Sequence, residues 1–526
     1  MNNLIAGERT IPGIIAEHCQ NTEGKSDKTF VIFNKNETSY FEIDAMANKV
    51  GAFLKTKGVG RDNKITLFMG NRPEFLVSLL AVWKLGAVCV PVNTGYKSDE
   101  LAYSINHSDS VGLITEKELL PVVDSIRRQC PGLGWVAACN DGSDEDNFLH
   151  IMQHYSDEAP ARPVSPEDMA LIMYSSGTTT RPKGVMINHG SLVYSAEVTA
   201  KHLYLTPEDR ALVAFPLFHA NSLFFACLGS ALMGGSFVLL PRLSISKWWT
   251  EIIENQVTWN SGLTGSMIRL MLQNTPAEGF ENPLRVSICG MLLATEEFFE
   301  FERRFKVRLA PGWGMTETVA LATATPLYGR RNIRGNFIGR VTLGQEARVV
   351  DEEGKEVPYH QEGELVVKCP NMMIGYYKDP KTTEETVRDG WIFTGDICSR
   401  DEDGFFHFVD RKKDVIKPKG ENVAAAEIER VLNENDKILE SYAIGIPDTE
   451  GLWGERIKVF VVLRENETMD IEELQDWCKT KLADFKIPSF MEVVRDADLP
   501  RTAVGKVKKN VLREREINNR NASSIT

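Results

Sequence analysis

Residues 174–184 are dense in small hydroxyl side chains and end with two cationic ones. The segment reads Tyr-Ser-Ser-Gly-Thr-Thr-Thr-Arg-Pro-Lys-Gly and follows a predicted strand at 169–174. Such a loop can direct main-chain N–H groups and hydroxyls at phosphate oxygens, while Arg181 and Lys183 supply positive charge. Composition alone leaves a flexible polar connection equally open. A Walker loop is excluded, because Lys183 precedes Gly184 and the second glycine of that pattern is missing.

Three further side chains could act on a nucleotide. Thr316 and Glu317 follow two glycines, and a hydroxyl beside a carboxylate can reach a phosphate and a hard cation such as Mg²⁺. The same pair could instead begin a helix as a cap. Asp396 offers two acceptor oxygens, which suit the two hydroxyls of a ribose. Taken alone, its Thr-Gly-Asp segment would instead be interpreted as an ordinary turn.

The elements that must position these side chains follow two patterns. Strand-length apolar runs alternate with helical patterns over the first part of the chain, which favours parallel sheets flanked by helices. Between Gly339 and Asp410, short strand-like runs separated by Gly and acidic turns predict a smaller β-rich subdomain. Predicted helices at 424–433 and 471–482 then alternate with strands, which indicates a compact unit of about a hundred residues. A cluster of charge at 410–413 marks the predicted boundary.

The motifs, taken in order, resemble those of the adenylate-forming (AMP-binding) superfamily. This superfamily includes acyl-CoA synthetases, aryl-CoA ligases, peptide-synthetase adenylation domains and firefly luciferase. Its phosphate loop usually reads [YF]-T-S-G-[ST]-T-G-x-P-K-G, and Ser175 and Thr180 replace a Thr and a Gly of that pattern here. Similar motifs recur in the family's order from 80–93 to 500–506. Their wording is nearest the crotonobetaine/carnitine-CoA ligase and medium-chain acyl-CoA ligase branch.

The resemblance implies an α/β protein with two domains. Residues 1–410 would form a large N-terminal domain of two α/β sheet subdomains plus the small β-rich subdomain. Residues 411–526 would form a mobile small α+β domain, with Lys413 as the hinge. In this family the small domain rotates after the first half-reaction and opens a tunnel for coenzyme A, and 417–423 would then face the adenylate.

The resemblance also implies an ATP site that includes residues from both domains. The predicted ATP- or AMP-binding residues are Ser175, Ser176, Gly177, Thr178, Thr179, Lys183, Gly290, Met291, Gly312, Trp313, Gly314, Met315, Thr316, Asp396, Arg411 and Lys506. Glu317 and Thr178 are the predicted Mg²⁺ ligands. Asp396 would bind the ribose, and Arg411 could bridge ribose and phosphate. The adenine loop at 287–294 departs from the family pattern, since Met and Leu replace small residues and Pro.

Four residues are the predicted catalytic groups: Lys506, His219, Glu317 and Thr316. Lys506 ends Pro500-Arg-Thr-Ala-Val-Gly-Lys and would bridge the substrate carboxylate and the α-phosphate. Two like charges near 4 Å repel by about 4 kcal/mol at an effective dielectric near 20, so the site must neutralise them. Outside the motif, Lys506 would be one of many exposed lysines and His219 a structural residue.

The predicted acid pocket consists of His219, Asn221, Phe224, Thr264, Trp313 and Val319. Trp313 stands where the family usually has Tyr, so we expect an aromatic wall and a narrower pocket. Peptide-synthetase domains place an Asp near His219 to hold an α-amino group, whereas this chain has Ala220 and Asn221 there. The sequence therefore disfavours an amino acid and predicts a small or medium carboxylic acid.

Composition excludes several other classes. The net charge of −13 over 526 residues argues against a broad nucleic-acid surface. The longest apolar stretch, 76–92, is interrupted by Lys84 and predicts a buried helix followed by a strand, with no integral membrane association.

The first 25 residues lack a signal pattern. Nine cysteines without a C-x-x-C pair suit a reduced cytoplasm. The pair His150 and His154 lacks a third metal ligand and is predicted to be surface.

The predicted activity is that of an ATP-dependent acid-thiol ligase. It would form an acyl-adenylate with release of pyrophosphate and pass the acyl group to coenzyme A, leaving acyl-CoA and AMP. No carrier-protein Ser motif follows residue 510, which favours free coenzyme A. The alternatives are luciferase-like oxidation, a carrier protein as acceptor, or a non-catalytic ATP-binding protein. A monomer and a homodimer are both compatible with the sequence.

Overall fold

A computed structural model of the protein describes residues 9–20, 28–139, 146–159, 164–175, 182–276, 278–290, 295–329, 333, 337–412, 414–416, 418, 423–448, 455–482, 486–502 and 505–523. Helices and strands alternate over most of the chain, and the predicted α/β class is confirmed. The helices are α1 Ile11–Gln20, α2 Tyr40–Thr56, α3 Pro73–Lys84, α4 Ser98–Ser108, α5 Leu120–Ile126, α6 Phe148–His154, α7 His189–Leu203, α8 Leu228–Met233, α9 Trp248–Glu254, α10 Gly265–Asn274, α11 Thr295–Phe305, α12 Pro380–Thr386, α13 Ala425–Asn433, α14 Ile471–Lys481 and α15 Lys509–Ser523.

One sheet of seven strands contains the strand that leads into the predicted phosphate loop. Its order is β18-β8-β7-β4-β3-β5-β6. The strands are β3 Lys64–Phe68, β4 Val88–Pro91, β5 Ser110–Glu116, β6 Trp135–Cys139, β7 Met169–Ser175, β8 Lys183–Asn188 and β18 Gly375–Tyr376. β4 is buried at every position, as expected for a central parallel strand covered on both faces. The buried helix and strand predicted within 76–92 are confirmed as α3 and β4.

A second, larger sheet continues into the β-rich part of the chain. Its order is β16-β17-β20-β21-β15-β14-β13-β12-β11-β9-β10-β1-β2, with β19 paired to β20. The strands are β1 Thr29–Phe33, β2 Asn36–Ser39, β9 Arg210–Val213, β10 Ser236–Leu239, β11 Trp259–Leu263, β12 Val286–Cys289, β13 Arg308–Trp313, β14 Thr323–Ala324, β15 Phe337–Val341, β16 Glu346–Val350, β17 Gly363–Lys368, β19 Val387–Arg388, β20 Trp391–Arg400 and β21 Phe406–Arg411. Along this order, each pair of neighbours between β1 and β13 is parallel, and each pair between β13 and β16 is antiparallel. The β-rich strands are therefore joined to the second α/β sheet by an unbroken run of strand pairing.

The C-terminal part has a separate three-stranded sheet. Its strands are β22 Ile438–Pro447, β23 Glu455–Leu463 and β24 Phe490–Val493, in the order β22-β23-β24. Helices α13 and α14 pack on it around an apolar cluster of their own. A separate apolar core of this kind is typical of an independently folded unit.

The residues at the N-termini of α2 and α3 explain why these helices begin where they do. Ser39 caps α2 by accepting from the N–H of Glu42, whose carboxylate bonds back to the Ser39 N–H, a reciprocal arrangement that satisfies two otherwise unpaired donors. Pro73 occupies the first turn of α3, where its missing N–H costs nothing. Among the described residues, no helix is both long and apolar enough to cross a membrane.

Candidate active site

Four of the predicted site segments follow parallel strands of the second sheet, at their carboxyl ends. Residues 216–219 follow β9, Thr264 follows β11, Gly290 follows β12 and 314–317 follow β13. Because these strands are parallel neighbours, the segments after them share one edge, which is where ligands bind in open α/β sheets. The chain order thus brings four of the predicted motifs together.

Glu317 lies in a short 3₁₀ turn after β13 and is only 6% exposed. Its Oε1 accepts a hydrogen bond from the Tyr376 hydroxyl at 2.7 Å. Burial raises the pKa of the Glu317 carboxyl, opposed by the Tyr376 hydrogen bond, the main-chain N–H of Glu317 and the positive charge of Lys183. A buried carboxylate needs positive charge nearby. The positive charge of Lys183 supplies it for Glu317.

The backbone beyond Glu317 turns sharply. Val319 has φ 60° and ψ −45°, and the N–H of Ala320 donates to the carbonyl of Thr318 at 2.6 Å. This is a γ-turn of the strained type, centred on a β-branched residue that rarely adopts positive φ. The Ser195 hydroxyl of α7 donates to the Val319 carbonyl at 3.0 Å. The turn folds the chain back against Gly314, where an added Cβ would lie 2.9 Å from the Ala320 oxygen.

Asp396 and Arg411 face each other across β20 and β21 as register partners. The Arg411 Nε lies 3.7 Å from the Asp396 Oδ1. The indole N–H of Trp313 donates to the Asp396 Oδ2 at 2.8 Å. The sequence reasoning expected Trp313 as a wall of the acid pocket and missed this bond. No local signal could have revealed it, because 83 residues separate the two side chains.

Lys506 belongs to the C-terminal part of the chain, yet its charge acts on groups of the large domain. The surrounding protein lowers the pKa of its ammonium, Arg411 lowers it further, and Asp396 opposes both. The residue as a whole is nevertheless exposed to solvent. The ammonium of Lys506 is therefore within electrostatic range of the predicted ribose-binding pair.

His219 follows β9 and has its Nε2 buried without a hydrogen-bond partner among the described residues. Burial lowers its pKa to about 4, and the nearby charge of Lys506 lowers it further. The imidazole is therefore neutral at pH 7. A neutral ring beside a cation can take a carboxylate close to it without a competing ion pair.

The other predicted pocket residues have varied surroundings. Asn221 begins a π-helical segment, Asn221–Cys227, and its Oδ1 accepts from the Ser261 hydroxyl at 2.9 Å. Thr264 caps α10. Phe224 and Val319 are almost fully buried within the largest apolar cluster. Their assignment to the pocket stays a prediction.

Some predicted residues lie outside the described part of the chain. These are Ser176, Gly177, Thr178 and Thr179 of the phosphate loop, Met291 of the adenine loop, the hinge residue Lys413 and most of 417–423. Ser175 ends β7, Lys183 begins β8, and Gly290, Gly312, Gly314, Met315 and Thr316 lie at the strand ends described above. The imidazole rings of His150 and His154 stack on each other, with 3.9 Å between the ring centroids. Within the described ranges, no cluster of three or more His, Cys, Asp or Glu residues that could hold a metal is present.

Comparison with known proteins identifies the chain's relatives. The AMP-binding enzyme family model matches residues 19–377, and the model of the AMP-binding enzyme C-terminal domain matches residues 427–506. The crotonobetaine/carnitine-CoA ligase of Escherichia coli is 32% identical over 487 residues, which cover 90% of this chain and 93% of the relative. The predicted family resemblance is confirmed.

Solved structures show the same fold over nearly the whole chain. ATP-bound MatB from Rhodopseudomonas palustris has a TM-score of 0.86 and 28% identity, covering 97% of this chain and 99% of its own. The apo form of that protein gives 0.75 at the same coverage. The anthranilate CoA ligase AuaEII in complex with anthranoyl-AMP gives 0.87 and 25% identity, covering 96% of this chain and 97% of its own. The arrangement described here is thus more similar to the ATP-bound form of MatB.

Proposed function

Because this chain belongs to the AMP-binding enzyme family, we propose that it is a carboxylic acid:CoA ligase. It activates a small or medium carboxylic acid with ATP, releases pyrophosphate, and transfers the acyl group from the adenylate to coenzyme A. The observation that carries the proposal is that the charge of Lys506 acts together with those of Asp396 and Arg411 and reaches His219. Relatives named as CoA ligases cover nearly the whole chain.

The chemistry of adenylation accounts for these groups. A carboxylate that attacks the α-phosphate of ATP brings two anions together, and fixed positive charge in a partly closed site lowers that repulsion. Lys506 approaches from the C-terminal domain, and Lys183 acts from the start of β8 beside the phosphate loop. Asp396, oriented by Trp313 and faced by Arg411, accepts from the ribose hydroxyls. Neutral His219 borders the acid. No side-chain nucleophile is required, so positioning and electrostatics carry the step.

Magnesium fits the residues present. Glu317 supplies a buried carboxylate and Thr316 a neighbouring hydroxyl, hard oxygen donors of the kind that Mg²⁺ takes together with phosphate oxygens. Thr178, the second predicted ligand, lies outside the described residues. When bound, the ion would neutralise charge on the phosphates.

The second half-reaction assigns roles to the two domains. We propose residues 1–410 as the AMP-binding and acid-binding domain and 411–526 as the domain that rotates about Lys413, withdrawing Lys506 so that coenzyme A reaches the adenylate. An oxidative acceptor reaction and a carrier-protein acceptor are the alternatives. We also propose a cytoplasmic enzyme, consistent with nine cysteines that form no disulfide, acting as a monomer or homodimer.

The test is pyrophosphate release from ATP with a panel of acids, with and without coenzyme A. The panel contains crotonobetaine, carnitine, benzoate, anthranilate and straight-chain acids of two to ten carbons. We expect acid-dependent pyrophosphate release and, with coenzyme A, acyl-CoA and AMP in equal amounts. Pyrophosphate release without any thioester product would favour another acceptor, and ATP binding without pyrophosphate release for every acid would point to a non-catalytic protein.

A further inference from the structure

The segment 372–376 holds Glu317 at two points. The N–H of Met373 donates to the Glu317 carbonyl at 3.0 Å, and the Tyr376 hydroxyl donates to its Oε1 at 2.7 Å. Glu317 and Tyr376 are each 6% exposed. Both the main chain and the carboxylate of Glu317 are therefore fixed by a segment that the sequence motifs did not single out.

Tyr376 is itself held in place from behind. It pairs with Val185 of β8 through β18, and its N–H donates to the Thr383 hydroxyl of α12 at 2.9 Å. Gly375 has φ 150°, and a Cβ there would lie 2.9 Å from the Thr383 methyl carbon. The close approach of α12 therefore requires glycine at 375, and it fixes the direction in which the Tyr376 ring points.

The ring of Tyr376 also contacts the lysine that follows the phosphate loop. Lys183 Nζ lies 5.0 Å from the ring centroid, a distance at which a cation is attracted to an aromatic face. Tyr376 therefore touches the predicted metal carboxylate with its hydroxyl and the predicted phosphate-binding cation with its ring.

We propose that Tyr376 is a positioning residue that orients the Glu317 carboxylate for a small divalent cation. This inference rests on the proposed function, in which Glu317 is a metal ligand. The Tyr376 hydroxyl takes one of the two lone pairs of Oε1, so the carboxylate offers its other oxygen more readily and binding of one cation by both oxygens is disfavoured. Mg²⁺ demands regular octahedral coordination, whereas Ca²⁺ accepts two-oxygen carboxylate binding. Hydrogen-bond partners of metal ligands change metal affinity by about 10- to 100-fold.

The test measures metal binding in the complex with α,β-methylene-ATP, which cannot release pyrophosphate. Mn²⁺ is titrated by electron spin resonance, and Mg²⁺ and Ca²⁺ compete for its site. For Tyr376→Phe we expect the dissociation constants of Mn²⁺ and Mg²⁺ to rise about tenfold and that of Ca²⁺ to rise less, so the preference for Mg²⁺ over Ca²⁺ falls. The number of metal sites is normalised to the amount of bound α,β-methylene-ATP, because only folded protein binds the nucleotide.

A matched control is available next to the residue. The Tyr377 hydroxyl donates to Asp109 at 2.8 Å, so Tyr377→Phe removes the same group from an adjacent position that does not touch Glu317. We expect wild-type metal binding from it. In a Glu317→Gln background, Tyr376→Phe should add little further loss, because the carboxylate through which it acts is gone.

The outcomes separate this inference from the proposed function. Unchanged metal affinities and an unchanged Mg²⁺-to-Ca²⁺ ratio in Tyr376→Phe would overturn the inference, as would a full additional loss in the Glu317→Gln background. Neither result affects acid-dependent pyrophosphate release by the wild-type protein. Conversely, a wild-type protein that releases no pyrophosphate with any acid would defeat the proposed function, whatever the metal titrations give.

Discussion

The ammonium of Lys506 interacts electrostatically with Arg411 and Asp396. Lys506 belongs to the C-terminal part of the chain, whereas the other predicted catalytic residues belong to the N-terminal part. We expect Lys506→Ala to lower the rate of acid-dependent pyrophosphate release by at least about 100-fold, since a preorganised charge at a reacting group is typically worth 10²- to 10³-fold. Thioester formation from supplied acyl-adenylate should stay within a few-fold of wild type. Two single-turnover assays, one for each half-reaction, measure this.

Lys508 provides the control for that variant. It is an exposed lysine two residues further along the same loop, so Lys508→Ala removes an equal charge without removing the group beside Asp396. We expect both half-reactions to be near wild type. An equal loss of both half-reactions in Lys506→Ala would contradict the assignment of Lys506 to adenylation alone.

Trp313 leads to a second prediction at this scale. Its indole N–H fixes one oxygen of Asp396, and Asp396 is the predicted acceptor for the ribose hydroxyls. Trp313→Phe keeps an aromatic ring but frees that oxygen, a hydrogen bond to a charged group being worth about 1.5–3 kcal/mol. We expect the KM for ATP to rise about tenfold and the preference for ATP over 2′-deoxy-ATP to shrink.

Trp248 serves as the comparison for lost indole volume. It is 1% exposed and its indole N–H has no partner among the described residues. Trp248→Phe should therefore affect thermal stability without changing the ATP to 2′-deoxy-ATP ratio. If Trp313→Phe leaves that ratio at the wild-type value, Trp313 does not orient the ribose-binding carboxylate.

At the scale of elements, helix α7 begins with a histidine that has no access to water. Both ring nitrogens of His189 are buried without a partner among the described residues, and its ring packs edge-on against Trp83 at 5.4 Å. Burial lowers the pKa of His189 to about 4. The folded protein therefore keeps this ring neutral at a pH where the unfolded chain already binds a proton.

The sign of the pH effect follows from that difference. Between pH 6.5 and 4 the unfolded state binds more protons at this site, so the free energy of unfolding falls as the pH falls. From pH 7 to pH 5 the loss from His189 is about 2 kcal/mol. We expect His189→Leu to lose correspondingly less stability over this interval, measured by urea unfolding of the large domain at both pH values. An identical pH dependence in both proteins would exclude His189 as the cause.

Elements were more predictable from the sequence than contacts. Periodicity located β7, α13 and α14 to within a few residues, because each buries an apolar face that its own residues define. Family motifs predicted Glu317, Asp396 and Lys506 as site residues, and these roles stay predictions. The bonds from Trp313 to Asp396 and from Tyr376 to Glu317 were not predicted, because they join residues 83 and 59 positions apart. Side-chain partners at such separations depend on strand order and register, which no local pattern encodes.

At the scale of the whole molecule, the two domains meet along a groove as well as at the active site. The groove is lined by Gln273 of α10 and by residues around Arg464 at the end of β23. With its amide oriented to satisfy both groups, Gln273 accepts from the guanidinium of Arg464, at 3.1 Å from Nε. This bond crosses between the domains in the arrangement in which the charge of Asp396 acts on Lys506. It should therefore stabilise the adenylation arrangement relative to a rotated one.

Removing that bond should slow adenylation more than it slows thioester formation. We expect Gln273→Ala to slow adenylation about fivefold, since a hydrogen bond of this kind contributes about 1 kcal/mol. It should leave thioester formation from supplied acyl-adenylate unchanged or slightly faster, because only the population of the first arrangement falls. Asn274→Ala, an exposed neighbour in the same groove, is the matched control. Equal slowing of both half-reactions would mean that the contact stabilises the fold as a whole, and an unchanged adenylation rate would mean that the Lys506 arrangement forms without it.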